Sequence, residues 1–401
     1  MTPDLKKADI VKRTYPRQFV ANAMGGGGEF TRQTIVDTEE SLTVDREFDT
    51  SFYIKSLDEI QTHLPTRQRY AQESVKALHR QIDADVLGEY GSFTNSLDAS
   101  FNGGTSTYGI EVTSTNVAKM FSSVGVLLNM ANVYVNVPMK FTGNKLNDAG
   151  KSMPVAVISP QVYSAIVQRV EGKDTPQGDA VGTNGFIGKY FGYNLFISNA
   201  LAWTGTLGLA TQPTDGDTVT IMGIVYTFKN TVDAGVTAGQ IEIGSTVDVT
   251  RATLVAAIND PSTDVADGTV GRNSVSSTPD SAGFSNRDRL KNVVATNNNT
   301  TDQMTIVAKG KGYVPVSSSL TAAADKWDIN LQIQHNLIGV EGAIDLVMIQ
   351  EPTLDERKRD GYVGYDVVTW GCWGKKVFND GLAKLVDVKV LTTNFSGDDG
   401  N

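Results

Sequence analysis

The chain has 401 residues, 40% hydrophobic and 20% charged, with a formal net charge of −10 and a single cysteine, Cys372. That length suits two or three compact units, each with its own core. No apolar run is long enough to span a bilayer, and residues 1–19 carry Lys6, Lys7, Lys12, Arg13 and Arg17 without an apolar stretch, so neither a membrane span nor a secretory signal is read. A lone cysteine excludes an internal disulfide and a thiolate metal cluster. The acidic balance argues against a protein that grips nucleic acid along its length, because that affinity comes from neutralising phosphates. It suits a wall whose contents should not stick.

In chain order, the first segment reads as an arm. It holds Pro3, Pro16 and the run Gly25-Gly26-Gly27-Gly28, which has no preferred conformation. Up to Arg32, the basic residues Lys6, Lys7, Lys12, Arg13, Arg17 and Arg32 outnumber the acids Asp4, Asp9 and Glu29, so the arm is locally positive. A long strand follows. From Leu42 the even positions read Leu42, Val44, Arg46, Phe48, Thr50, Phe52, Ile54, against Thr43, Asp45, Glu47, Asp49 and Ser51, a period of two that suits an extended ribbon. After Pro65 the period changes. Ala71, Val75, Leu78, Ile82, Val86 and Tyr90 fall on one stripe of a helix over residues 66–90, ended by Gly91.

Residues 92–204 read as mixed α/β: a helix over 114–132, a buried strand at 155–158, a helix opened by Pro160 with Val162, Ile166, Val167 and Val170 inward, and a strand at 193–198. Near Thr204 the composition shifts to Thr, Asp, Asn, Ser, Gly and Val. Residues 205–326 are therefore expected to form a small β-rich domain inserted between two aromatic anchors, Trp203 and Trp327. Within it a hairpin over 217–228 turns at Met222-Gly223, a helix covers 247–259, a strand covers 304–308, and 260–301 is expected to be loop-rich. Long strands return at 343–350 and 362–376, joined by a turn over 351–361, and a strand at 385–390 closes the sheet.

Catalytic patterns are sparse. Gly150-Lys151-Ser152 lacks the glycine a phosphate loop needs five positions earlier, where Lys145 stands, and Met153-Pro154 leads into a strand rather than a helix. His63, His79 and His335 are scattered without metal-ligand spacing and read as structural. There is no GxSxG elbow, and Cys372 lies in a strand with Trp370 and Trp373, which favours a packed thiol. Asp83 and Asp85 point about 200° apart on their helix and cannot pair as acid and base. The run from Asp355 through Asp360 reads as a charged turn, either solvated or an intersubunit salt-bridge patch. The acceptor triplets at Asn298 and Asn299 would matter only in an exported glycoprotein. No catalytic residue, cofactor or metal is called.

The order of elements carries more than any motif. A basic arm, a ribbon over 30–55, the helix containing Ala77-Leu78-His79-Arg80-Gln81-Ile82-Asp83-Ala84-Asp85-Val86-Leu87, the segment Val157-Ile158-Ser159-Pro160-Gln161-Val162-Tyr163, then Gly188-Lys189-Tyr190-Phe191-Gly192-Tyr193-Asn194-Leu195 and Gly361-Tyr362-Val363-Gly364-Tyr365 follow one another. This order resembles the tailed-phage major capsid proteins of the HK97-type fold, over roughly residues 1–203 and 327–391. The insertion resembles the extra domain of P22-type coat proteins.

The resemblance implies an α+β chain divided as follows: N-terminal arm 1–29, extended loop 30–56, spine helix and peripheral domain 57–113, axial domain 114–204, inserted domain 205–326, axial return 327–342, peripheral long strands 343–379, and axial end with tail 380–401. It implies self-assembly as pentamers and hexamers into an icosahedral virion shell enclosing double-stranded DNA without sequence-specific binding. Scaffolding and portal proteins, and a decoration protein, are the further partners it implies, with synthesis in the host bacterial cytoplasm and no membrane. Candidate assembly contacts are Arg32, Leu42, Val44, Phe48, Phe52, Glu356, Arg357 and Arg359. Some relatives weld their shells through a lysine near the extended loop. Here residues 25–40 contain no lysine and Lys55 lies at the ribbon base, so a shell without covalent crosslinks is expected. Two other readings stay open: an encapsulin-like compartment that packages a cargo enzyme, and a glycan-binding surface module suggested by the Thr/Asn/Gly-rich insertion.

Overall fold

In the computed structural model the alternation that begins at Leu42 becomes two strands rather than one, β2 (Asp37–Thr43) and β3 (Arg46–Lys55). The break at Val44-Asp45 marks a change of partner. β2 pairs antiparallel with β1 (Ile10–Pro16), whereas β3 joins a different sheet. So part of the segment read as an N-terminal arm is a strand, and the ribbon is closed by β1 rather than within 30–55. The structure describes residues 10–16, 32, 34, 37–55, 66–131, 133, 153–171, 187–232, 235, 237–265, 271–279, 284–322, 324–358 and 363–392. Gly150-Lys151-Ser152, His63, Arg359 and the acids and glycines of 25–31 lie outside them. The chain is an α+β protein that divides into two compact units, residues 1–82 with 344–379, and residues 83–343 with 380–401.

The first unit is built on a three-stranded antiparallel sheet. Its central strand β17 (Gly364–Lys376) lies between β3 and β16 (Asp345–Lys358). The expected turn over 351–361 is thereby corrected: Glu351 through Lys358 continue β16, laddered against β17 from Trp370 to Tyr365. Dense charge marks a solvated strand flank as well as it marks a turn, and the ladder supplies the backbone partners a turn would have had to find elsewhere. The irregularity falls at Met348–Thr353, where Pro352 has no N–H to give the ladder. At about 3.3 Å per residue, the fourteen residues of β16 reach roughly 46 Å.

Helix α1 (Thr66–Leu87) covers the apolar face of this sheet, and residues 66–82 of it belong to the first unit. Ala71, Ser74, Leu78 and Ile82 are its buried positions there, with Val75 at the flank, and Ser74 Oγ meets Thr369 Oγ1 at 2.6 Å. The helix ends at Leu87, earlier than the Gly91 stop, and a single 3₁₀ turn follows at Tyr90–Ser92.

The second unit holds a nine-stranded sheet with β15 (Ile333–Val340) at its centre, every residue buried. One edge of β15 pairs along its length with β18 (Leu385–Leu391), which in turn pairs with β4 (Asn95–Leu97). The other edge is shared. Ile333 and Gln334 pair with β8 (Trp203–Gly208), then Leu337 to Val340 with β5 (Pro154–Ile158). Beyond β5 lie β7 (Tyr193–Ile197) and the short β6 (Lys189–Tyr190). Helices α2 (Val117–Met130) and α3 (Pro160–Val170) bring Met120, Phe121, Val124, Leu128, Val162 and Ile166 into one core with Ile158, Ile338 and Val388. Pro160 stands where its missing N–H costs nothing, and Ser159 Oγ accepts from the Val162 N–H.

The stretch from 205 to 326 carries a second apolar cluster, yet its strands are not set apart. β12 (Val293–Asn298), β13 (Gln303–Ala308) and β8 extend the nine-stranded sheet, while β9 (Thr218–Ile221), β10 (Ile224–Lys229), β11 (Gln240–Glu242) and β14 (Val316–Ser318) form a four-stranded one. The expected hairpin is present. Met222 (φ 54°) and Gly223 (φ 78°) form the two-residue turn, the left-handed pair that a tight hairpin requires. Helix α4 (Val247–Asn259) matches its expected bounds. The loop expected over 260–301 instead contains β12 and a helical turn, α5 (Asn286–Arg289), capped by Ser285 and Asp288. Trp203 and Trp327 are both buried in this second cluster, with Leu207 bridged to Trp327. The indole of Trp203 lies across Gly205, where a Cβ would fall 2.1 Å from the ring, so only glycine fits there.

Candidate assembly surface and buried polar centre

The apolar face of β3 is not left open. Phe48 stacks on Trp373 with ring centroids 5.2 Å apart, and Phe52 tilts against Tyr70 at 5.9 Å. Leu42, 1% exposed, is filled in by its own chain, and Val44 is half-buried. What the first unit presents to solvent is the opposite face. Asp49 pairs across from Trp370, which is 44% exposed, and Glu47 and Ser51 flank it. Trp370 carries an exposed indole on a central strand, a feature the sequence reading used only as a neighbour of Cys372. Its signal was the strand parity: Trp370 and Trp373 differ by three positions and so must face opposite sides.

The charge run divides in the same way. Arg357 donates to Asp355 Oδ2, Nε at 2.8 Å and Nη2 at 2.6 Å, two residues back on the same face, while Glu356 is exposed on the other. Such a surface pair contributes about 0–1 kcal/mol, so its importance for folding is small. Arg32 is exposed. In the ribbon, Lys12 meets Glu39 at 2.5 Å, and Arg13 bonds Asp345 Oδ2 at 2.8 Å while its guanidinium lies 5.4 Å over the Phe378 ring. These contacts fasten a two-stranded ribbon that has no core of its own.

No family model matches this sequence, and no curated protein matches it. Among solved structures, one from Mycobacterium phage Che8 aligns over 96% of this chain and 85% of its own, at 11% identity and a TM-score of 0.49. The capsid structure of cyanophage P-SCSP1u aligns over 95% and 83%, at 12% identity and 0.47. The acidic stable capsid structure of Helicobacter pylori bacteriophage KHP30 aligns over 96% and 85%, at 8% identity and 0.46.

The second unit contains the one place among the described residues where a buried histidine and a buried carboxylate meet. His335 on β15 holds both oxygens of Asp387 on β18 with Nδ1, at 3.0 and 2.9 Å, and its Nε2 lies 3.1 Å from Thr204 Oγ1 on β8. A carboxylate only accepts, so Nδ1 carries the proton. The Tyr90 ring stacks on the imidazole at 3.6 Å, and its hydroxyl is pushed up to about 12 by burial and by the Asp387 charge. A cleft of about 370 Å³ opens beside them. The residue types are those of nucleophile activation, but the surrounding backbone is committed elsewhere. Thr204 is laddered to Val307 on one side and Ile333 on the other, so its strand presents no paired N–H donors to a developing oxyanion. What the arrangement does is tie β8, β15 and β18 together through the Thr204–His335–Asp387 hydrogen bonds, with the Tyr90 ring stacked on the imidazole.

The remaining sequence candidates do not converge. Asp83 is exposed and Asp85 buried on α1, His79 is exposed, and Cys372 is half-buried in β17. Among the described residues no group of metal-ligating side chains assembles, and no helix is long and apolar enough to cross a membrane.

Proposed function

We propose that this chain is the major capsid protein of a tailed phage, a structural rather than catalytic subunit that assembles as pentamers and hexamers into an icosahedral shell around double-stranded DNA. One observation carries the reading: the long sheet β16-β17-β3 has no further strand on either outer edge among the described residues. Open edges of ten and fourteen residues are a hazard in a monomer, since each offers a row of unpaired backbone groups to other chains. In a shell they are joints. The exposed Trp370, the half-buried Phe48 and Phe52, and the charges Arg32, Glu356, Arg357 and Arg359 then belong to intersubunit contacts, with Leu42 and Val44 supporting them from beneath. The order of ribbon, long helix and terminal long strands supports the same reading, as does an acidic wall that does not hold its DNA contents. Scaffolding, portal and decoration proteins would be its partners in the virion.

Electron microscopy of the chain, expressed alone and with its neighbouring genes, tests this. Closed icosahedral shells or rings of five and six subunits are expected. A monodisperse monomer under every assembly condition would overturn it. Shells that contain a cargo enzyme instead of DNA would favour the encapsulin-like alternative.

A further inference from the structure

On the face of β15 opposite His335, a cleft of about 420 Å³ collects hydrogen-bond donors that have nothing to bind. Gln334 projects into it from the fully buried strand. The residue is 5% exposed, and its carboxamide makes no hydrogen bond among the described residues. The amide is not sealed off from the cleft; it meets the open space there, where a ligand can take the place of water. Its Nε2 reaches the wall formed by Gly312, where an added Cβ would sit 3.2 Å away.

The second wall supplies charge. Lys311 is half-buried beside Gln334, and its ammonium forms no ion pair or hydrogen bond among the described residues. Burial, reinforced by Lys291, lowers its pKa despite the opposing pull of Asp288. The third wall is the start of α3. Ser159 already satisfies the Val162 N–H through Oγ and the Tyr163 N–H through its carbonyl, and Pro160 has none, so the Gln161 N–H is the amide left to face the cleft.

We infer that this cleft binds a carboxylate, held by the Lys311 ammonium, the Gln334 carboxamide N–H and the Gln161 N–H. One cation with neutral donors matches a single negative charge shared over two oxygens. Acidic side chains are abundant in an assembly of this composition, and this chain itself carries Asp398 and Asp399 shortly after Thr392, which lines the cleft.

Acylation of each lysine, followed by mass spectrometry on the full chain, tests the inference with glutarate as the probe. Glutarate should slow acylation of Lys311 several-fold while leaving the exposed Lys291 unchanged. Gln334→Leu should abolish that protection while the far-ultraviolet circular dichroism of the chain stays unchanged. The doubly substituted Asp398→Asn, Asp399→Asn chain separates the sources. Faster Lys311 acylation in that variant assigns the chain's own tail, whereas protection confined to assembled particles assigns a neighbouring copy. Equal or better protection by inorganic phosphate overturns the carboxylate assignment. Protection by neither probe, or protection that survives Gln334→Leu, overturns the site.

Discussion

Arg251 is the most demanding residue of the second core, and its replacement has a calculable cost. Its side chain is fully buried on α4. Nε donates to Asn297 Oδ1 at 2.6 Å, Nη1 to the Leu209 carbonyl at 2.6 Å, and Nη2 to Asp248 at 2.5 Å, Asn299 at 3.1 Å and Asp302 at 3.5 Å. One guanidinium therefore fastens the helix to the end of β8, the end of β12 and the β12–β13 turn. The two carboxylates are about half exposed, at 49% and 48%, and can return to water when the arginine is gone. The buried Leu209 carbonyl cannot, and an orphaned acceptor of that kind costs about 1–3 kcal/mol. Met in place of Arg fills most of the volume and relieves a desolvated charge, so Arg251→Met should destabilise by about 1–3 kcal/mol. Arg251→Ala adds a cavity and should cost about 2 kcal/mol more. Because the chain divides into two units, hydrogen exchange of the α4, β12 and β13 amides on the unassembled subunit is the direct reading. An alanine variant within about 1 kcal/mol of the parent, or a methionine variant worse than alanine, would refute the reasoning.

Three further outcomes are expected. Trp370→Ser removes an indole that is 44% exposed and should lower the yield of assembled particles several-fold while the unassembled subunit keeps its native circular dichroism; unchanged yield would remove Trp370 from the contact surface. Burial holds Tyr90 and Tyr193 near about 12 against an ordinary value of 10.0. A raised folded-state value contributes stability that is complete below pH 10 and lost as pH climbs from about 10 to about 12. Phenolate absorbance should thus leave a class of tyrosines un-ionised until the fold opens, and titration of all 13 together near pH 10 with unchanged circular dichroism would contradict this. Assembled particles boiled in detergent should run as one monomer band, whereas a ladder would reveal covalent crosslinks.

What was legible in the sequence was periodicity. The helix from Thr66, the helix opened by Pro160, α4 and the Met222-Gly223 hairpin all follow from local spacing and turn chemistry, which need no knowledge of partners. What misled was composition. Charged residues around Glu356 read as a turn because the β17 ladder that recruits them lies seven to thirteen residues away in sequence. Polar residues at 293–298 read as loop, although Val293 and Ala295 alternate inward once β13 pairs with them. His335 read as a scattered histidine because Asp387 and Thr204 come to it from 52 positions ahead and 131 behind. Gln334 gave no signal at all, since an unpaired amide exists only relative to a finished fold.

The compositional shift at Thr204 coincides with a second apolar core whose strands are shared between two sheets. In chain order the strands of this region alternate between sheets: β8 belongs to the nine-stranded sheet, β9 to β11 to the four-stranded one, β12 and β13 to the first again, and β14 to the second. No continuous segment can leave with only one sheet. Removing residues 205–326 would take β12, β13 and the last four residues of β8, keeping only Trp203 and Thr204 against β15, and would leave Trp203 and Trp327 without the cluster that buries them both. Such a deletion should yield insoluble chain, not a smaller subunit that assembles. If it instead gave soluble protein with native exchange protection along β15 and β18, the second core would be an appendage, and the shared sheet would contribute little to holding this unit together.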